Sequence, residues 1–414
     1  MTEMTVDPPR LGTGRLFAAA TPSLETHEET FGPRPAGWHR EPLLAELEAS
    51  GLTGRGGAGF PAYRKLAALR GTYPVLIANG AEGEPLSRKD AALLRHAPHL
   101  VLDGLLTVAE ATAASEVFVY TTAESLPSVA TALGERRDAS RVRLVEADEA
   151  FISGEASAVV NALETGVAVP RDKPLPLSVS GYHGRPTLLH NVETLAQLAL
   201  VARYGAPWFR SAGAKDDPGT RLFSLAGDVP AESVFEAAGG TTIRDLLIAG
   251  GADPHGIDAV LVGGFFGAWV PVDGFDLPLT ARALAQFGAK PGAGVLMALG
   301  RGRCGLEVAA AVARYLAQSS ARQCGPCMFG LPAMAGILER IARGERTPWL
   351  AAEAERLAGV VTGRGACHHP DGTAGFVRSS LRIFRHEVQA HLSGACTAKR
   401  APHEPGTGYR GGLG

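Results

Sequence analysis

Two rhythms of apolar and polar positions run along this chain. In "PLLAELEAS" (42–50) the apolar side chains recur at helical spacing. "YPVLIANG" (73–80) is instead a short apolar run beside turn residues, the pattern of a buried strand. The alternation continues: "AALLRHAPHLVLDGLLTVAEAT" (91–112) predicts one helix, "SEVFVYTT" (115–122) a strand, "SLPSVATALGER" (125–136) a helix and "RVRLVEAD" (141–148) a strand. Strands separated by helices predict a parallel sheet covered on both faces. The Pro-rich stretch "PRDKPLPLSVSGYHGRP" (170–186) interrupts the pattern. "NVETLAQLALVARYG" (191–205) then resumes it as a helix with Gly205 as its C-cap.

Past residue 215 the segments become shorter and more β-like. "RLFSLAGDV" (221–229) and "DAVLVGGFFG" (258–267) read as strands, and "TTIRDLLIAGG" (241–251) as a short helix opened by a threonine. From residue 289 onward, "LEVAAAVARYLAQSS", "PAMAGILERIARG", "WLAAEAERLAGVVTG" and "FVRSSLRIFRHEVQAHL" predict four helices in a small bundle. The expected organisation is an irregular lead-in (1–37), an α/β domain (38–215), a small α+β domain (216–288), a helical bundle (289–395) and a flexible tail (396–414).

A length of 414 residues with 45% apolar composition supports several domains with substantial cores. The net charge of −2 argues against a nucleic-acid partner, which selects a basic face. No apolar run approaches a membrane span, so direct membrane insertion is not expected. The opening "MTEMTVDPPRLGTG" lacks the basic-then-apolar order of a secretory signal, and the cytoplasm is the expected compartment.

Four segments carry candidate chemistry. In "GLTGRGGAGFP" (51–61), the run Gly54, Arg55, Gly56, Gly57, Ala58, Gly59 and Phe60 lets the main chain approach a ligand and aim several N–H groups at an anion. Lys65 follows in what reads as the first helix turns, adding positive charge. Next, "ANGAEGEPLSRKD" (78–90) stands at the C-terminal end of the first strand, the edge where ligands of parallel sheets collect. Its Glu82 and Glu84 share one side if the chain stays extended. They are then either groups engaged by hydroxyls and amides of a ligand or separate solvated acids. In "FISGEASA" (151–158), Gly154 and Glu155 sit where a loop enters a helix. In "HNVETLA" (190–196), Asn191 precedes another, where an ordinary N-cap is the simplest role.

All five cysteines, Cys304, Cys324, Cys327, Cys367 and Cys396, fall in the last quarter, which suggests a local site and not a disulfide framework. Cys324 and Cys327 form a Cys-x-x-Cys pair with Cys367 forty residues on. Cys304 and Cys396 stand outside that pattern and read as small hydrophobes.

Taken together, "GRGGAGFP", "NGAEGEP", "FISGEASA", "PRDKP" and "HNVETLA" resemble the flavoprotein subunit of NADH:quinone oxidoreductase (respiratory complex I) and related NADH-oxidising dehydrogenase and hydrogenase subunits. The resemblance runs from about residue 40 to 392. It implies an α/β domain with a parallel-type sheet that holds FMN and NADH, then a β-grasp-like domain, then a bundle carrying one [4Fe-4S] cluster. It implies that the glycines of 54–59 and Lys65 line the flavin phosphate pocket. It also places Asn79, Glu82 and Glu84 around the isoalloxazine and nicotinamide ribose, turns Gly154 and Glu155 to the same cavity and puts Asn191 on the phosphate or ribityl side. Glu82, Glu84 and Glu155 are thus the candidate catalytic groups, with Cys324, Cys327 and Cys367 as metal ligands.

The sequence departs from the family at several points. Ala81 and Ala156 replace carboxylates, and Ala68 and Pro176 replace aromatic residues on the adenine side. "NGAEGEP" also leans toward the membrane-associated ferredoxin:NAD oxidoreductase subunit. Ala321 stands where the cluster motif has its first cysteine. A cluster would need a substitute ligand from Ser320, Gln323, His368, His369 or Asp371, or would be a [3Fe-4S] centre on three thiolates; otherwise the site is empty. The expected function is hydride transfer from NADH to FMN, with single electrons passing through the iron–sulfur centre. The acceptor would be a ferredoxin, a small [2Fe-2S] protein or a larger reductase complex; if that complex is membrane-bound, the cytoplasmic chain would be peripheral to it. The alternative is an FMN-binding relay subunit that has lost NADH oxidation.

Overall fold

The computed structural model describes residues 14–171 and 175–398. Among the described residues, three helices precede the first strand: α1 (Leu24–Phe31), α2 (Arg40–Ser50) and α3 (Ala62–Ala67). The expected irregular lead-in is therefore corrected by α1, which Ser23 caps by accepting from the Thr26 N–H. Residues 1–13, and 399–414 of the expected tail, lie outside the described residues, as do residues 172–174 of the "PRDKP" motif.

Strand β1 (Val75–Gly80) is followed by α4 (Lys89–His96) and α5 (Pro98–Thr112), then β2 (Glu116–Thr122), α6 (Leu126–Gly134), β3 (Val142–Ala147), α7 (Ala156–Thr165), β4 (Thr187–Asn191) and α8 (Val192–Phe209). The strands form a four-stranded sheet in the order β3-β2-β1-β4, parallel throughout. Alternate residues of β1 serve two cores. Leu76 and Ala78 pack with α5 and α8, while Val75 and Ile77 face Phe118, Tyr120, Val159 and Tyr182. Burial on both faces explains why β1 reads as one continuous apolar run. A Cβ on Gly104 of α5 would lie 1.9 Å from the Leu195 carbonyl oxygen, so glycine lets α5 and α8 pack backbone to backbone. The one helix expected over 91–112 is two, because Pro98 cannot continue a ladder and Ala97 leaves the helical region (φ −139°, ψ 48°). Gly205 breaks α8 at φ 80° as its position suggested, although the chain re-enters helix and runs to Phe209.

A two-stranded ribbon, β5 (Gly213–Ala214) and β6 (Asp217–Pro218), leads to β7 (Thr220–Gly227), β8 (Ser233–Ala238), α9 (Ile243–Ala249), β9 (Ile257–Val262), β10 (Ala268–Pro271) and β11 (Val295–Gly300). The second sheet runs β10-β9-β11-β7-β8 and mixes parallel and antiparallel pairs. Thr242 opens α9 with a capping box to Asp245. Among the described residues, five helices follow: α10 (Gly305–Gln318), α11 (Leu331–Ala342), α12 (Leu350–Val361), α13 (His369–Ile383) and α14 (Arg385–Leu392). The last predicted helix is thus two, divided at Phe384 (φ −93°, ψ 25°). Leu261, Trp269 and Met297 of the second sheet share one core with Leu316, Leu338 and Phe376 of the bundle.

Candidate functional site

Asn79 and Asn191 end adjacent parallel strands and pair directly in register. Asn79 Nδ2 donates to the Gly154 carbonyl at 3.0 Å and its Oδ1 accepts from the Ala81 N–H at 3.1 Å. Asn191 Oδ1 accepts from the Glu193 N–H at 3.0 Å and so caps α8, as its position suggested. Its Nδ2 also donates to Asp90 Oδ2 at 2.6 Å. Both side chains are therefore fixed at the sheet edge, beside the 150–154 loop that contributes Gly154.

The glycine-rich loop closes over this edge. A bridge between Thr53 and Pro61 and a Gly54 N–H to Phe60 carbonyl bond of 2.8 Å form its neck. Gly57 (φ 108°) and Gly59 (φ 66°) make the turn in a region that side chains rarely enter. A Cβ on Gly56 would stand 3.1 Å from Asn191 Cβ, so the loop reaches Asn191 because nothing projects from it. Among the described residues, the N–H groups of Gly56, Gly57, Ala58, Gly59 and Phe60 donate to no protein acceptor. They are open donors, and Phe60 is half exposed beside them. Lys65 on α3 reaches the Leu189 carbonyl at the same end of β4, and burial lowers its pKa to about 8.

The expected role of Arg55 is corrected. Its guanidinium is buried, donates to Asp217 at 2.9 Å and to the carbonyls of Pro218 and Thr220, and its N–H donates to Thr194 Oγ1. Arg55 ties the loop to the second domain and leaves neither its side chain nor its amide for a ligand. Glu82 and Glu84 do not share a side, because the chain from 81 to 88 is not extended. Glu82 turns to α4, accepting from Ser87 Oγ and from the N–H groups of Asp90 and Ala91 at 3.1 Å each. Its catalytic role gives way to that of a helix cap. Glu84 turns the other way, to the Phe265 N–H at 2.9 Å, with Oε1 buried and unpartnered among the described residues. Burial pushes its pKa up to about 8. Glu155 accepts from the N–H groups of Ser157 and Ala158 at 2.8 and 3.1 Å and so caps α7.

Sequence reasoning passed over the ion network below the edge. Lys89 is buried, with its ammonium 2.6 Å from Asp90, 3.0 Å from Glu193 and 3.4 Å from Asn191 Oδ1. Burial opposes its charge, but Asp90 and Glu193 outweigh that and hold it protonated. The charged run Arg88-Lys89-Asp90 was the available signal, and it reads equally as a solvated turn.

The cysteines of the spaced motif do come together. Besides burial, Cys324 and Cys367 both raise the pKa of the Cys327 thiol and the Ser320 hydroxyl lowers it, so the four groups are neighbours, with Ser320 Oγ donating to the Ala317 carbonyl at 3.0 Å. Burial first, then the neighbouring Cys324, pushes the Cys327 thiol up to about 12. Of the other substitute ligands, His369 Nε2 donates to the Leu316 carbonyl at 2.7 Å, Asp371 accepts from the Gly363 N–H, and the His368 side chain is exposed.

Residues 47–200 match the family model of the Nuo51 FMN-binding domain, and residues 307–391 that of the NADH-ubiquinone oxidoreductase-F iron–sulfur binding region. The chain is 31% identical to the NADH-quinone oxidoreductase-F protein of Streptomyces coelicolor over 85% of its own length and 83% of that protein. It is 28% identical to the Escherichia coli counterpart over 84% of each chain. Among solved structures, it superposes with a TM-score of 0.82 on an NAD+-reducing [NiFe]-hydrogenase in the air-oxidized state, at 28% identity, covering 96% of this chain and 73% of that one. For the hydrogenase in the H2-reduced state the TM-score is 0.76 at 30% identity, and there the match covers 88% of this chain and spans 64% of the longer hydrogenase chain. Among the described residues no helix is long and apolar enough to cross a membrane. With the sheet edge, the open glycine loop and the gathered cysteines falling within the regions these relatives share, the chain belongs to the NADH-quinone oxidoreductase-F family.

Proposed function

We propose that this chain is a NADH dehydrogenase-type subunit that oxidises NADH through FMN and passes electrons through an iron–sulfur centre to a partner protein. The observation that carries this is the row of open amides at Gly56 to Phe60, held over the paired Asn79 and Asn191 in a chain of this family. Five N–H donors without protein partners beside a lysine suit a phosphate dianion. FMN, when bound, accepts a hydride and gives its electrons up one at a time. The protein's part is position: the loop and Lys65 hold the phosphate, Asn79 and Asn191 fix the edge, and the Gly154 carbonyl accepts from Asn79 and so steadies it. The unpartnered Glu84 Oε1 supplies a buried polar contact on the remaining side. A protonated Glu84 also avoids burying a second negative charge beside the nucleotide.

The cysteine site suits a cluster held by Cys324, Cys327 and Cys367, with the hydroxyl of Ser320, a neighbour of Cys327, as the fourth donor in place of Ala321. Met328 and Phe329, 52% and 70% exposed next to Cys327, offer an apolar contact for a small electron-carrier protein or a larger reductase.

The test is anaerobic mixing of the FMN-loaded protein with NADH. The expected result is bleaching of the oxidised flavin absorbance. Persistent oxidised flavin at saturating NADH would overturn the dehydrogenase reading. In the same preparation, Ser320→Ala should lower bound iron, and unchanged iron and sulfide would remove Ser320 from the ligand set.

A further inference from the structure

Cys304 and Cys396, which stand outside the cluster motif, are brought together by the fold with two further ligand-type side chains. Cys304 is the N-cap residue of α10. Glu387 and His391 are one turn apart on α14 and share a face. Cys396 belongs to the segment after α14, which folds back so that the Thr397 N–H donates to both Glu387 oxygens at 3.0 and 3.2 Å. The ligand atoms of Cys304, Glu387, His391 and Cys396 all lie within 4.8 Å of one another.

The polarity of the group calls for a cation. His391 Nδ1 is 3.0 Å from the Ile341 carbonyl. A carbonyl only accepts, so Nδ1 carries the proton, and this contact orients the ring as a backbone carbonyl does behind a metal-bound histidine. Nε2 is left facing Glu387 Oε1 at 2.8 Å and Cys304 Sγ at 3.5 Å. An imidazole nitrogen, a carboxylate and two cysteine sulfurs thus converge on one point among buried residues, and the exposed Cys396 gives an ion access.

We propose that Cys304, Cys396, His391 and Glu387 bind a zinc ion. Two sulfurs, one imidazole nitrogen and one carboxylate oxygen are all zinc ligands, and four protein ligands leave no open position, as in a closed structural site. With Zn–S near 2.3 Å, tetrahedral sulfur ligands stand about 3.8 Å apart, so pairs as wide as 4.8 Å need to close by roughly 1 Å while the 2.8 Å pair of His391 Nε2 and Glu387 Oε1 opens. On binding, the two thiols lose their protons to solvent and no electrons move. The ion pins three separate pieces of chain, the start of α10, the end of α14 and the segment around Cys396. Its site shares no residue with the flavin edge or with Cys324, Cys327 and Cys367, so the proposal stands apart from the redox reading.

Metal analysis of the full chain, expressed with zinc present and purified anaerobically, tests this. About one zinc per chain is expected. The Cys304→Ser/Cys396→Ser double variant should lose it while keeping its iron, and Cys327→Ser should do the reverse. Cobalt(II) added to chelator-stripped wild-type protein should give the intense visible bands of tetrahedral thiolate coordination, a reading that survives if the double variant fails to fold. Wild-type protein that holds no zinc and yields no such bands would overturn the proposal. So would zinc unaffected by the double substitution, or a Cys304–Cys396 disulfide found by mass spectrometry in the anaerobic material.

Discussion

At the scale of single residues, the site is shaped by what each polar group is already bonded to. Glu84 has one oxygen on the Phe265 N–H and one buried without a partner, and burial dominates its titration, with Glu82 adding to it. Its folded pKa is raised from an ordinary 4.5 to about 8, so the folded state binds the extra proton. The stability that Glu84 contributes is then complete below pH 4.5 and is lost as pH rises toward 8. Urea denaturation of the flavin-free protein across that window should show a decline that Glu84→Gln flattens. Parallel profiles for the two proteins would mean that Glu84 is ionised in the fold. The N-cap role of Asn191 was readable from position alone. The state of Glu84 was not, because it depends on a backbone amide 181 residues away.

At the scale of elements, the carboxylates of the motif divide by which helix they serve. Helix α4 has no side-chain cap from its own N-cap residue, Arg88, and Glu82 closes that end from outside through two backbone N–H bonds. Glu82→Ala should therefore cost about 1 kcal/mol, the usual worth of a cap, read as a lowered urea midpoint with an unchanged slope. FMN-loaded protein should still bleach with NADH. A variant of unchanged stability that no longer bleaches would restore Glu82 to the reaction. The "NGAEGEP" string shows that two acids stand beside a strand end, but not that they part company, since their directions depend on where α4 and the second domain lie. Periodicity located the helices well. It missed the division of 91–112 even though Pro98 was in plain view, because the apolar stripe continues smoothly across the break.

At the scale of the whole molecule, buried ions join the domains. Arg55 lies 2.9 Å from Asp217, which also receives Arg221 at 2.9 Å, so the neck of the glycine loop is anchored on the β6–β7 segment. Arg55→Met leaves Asp217 buried with one partner fewer. Arg221 still pairs with Asp217, so the expected cost is about 1–3 kcal/mol, that of leaving a buried acceptor without one of its donors, with looser FMN as the loop loses its anchor. Thermal unfolding and flavin retention measured together check this. Unchanged stability with lost flavin would return Arg55 to the cofactor side. Arg55 was legible as the one charge in a glycine run, which is why it resembled an anion ligand. Its actual partner is 162 residues distant.

The sequence by itself determined what depends on neighbours along the chain. Local periodicity set the strand–helix alternation, glycine spacing gave a loop able to expose its amides, and the Cys324, Cys327 and Cys367 spacing suggested a metal-type site. Tertiary structure decided how each charged group is used, because a carboxylate, guanidinium or thiol takes its role from whatever lies within a few ångströms. Arg55 became an anchor, Glu82 and Glu155 became caps, and Cys304 and Cys396 met Glu387 and His391. Those encounters join segments far apart in the chain, and no pattern of residues along one segment encodes the distance to another.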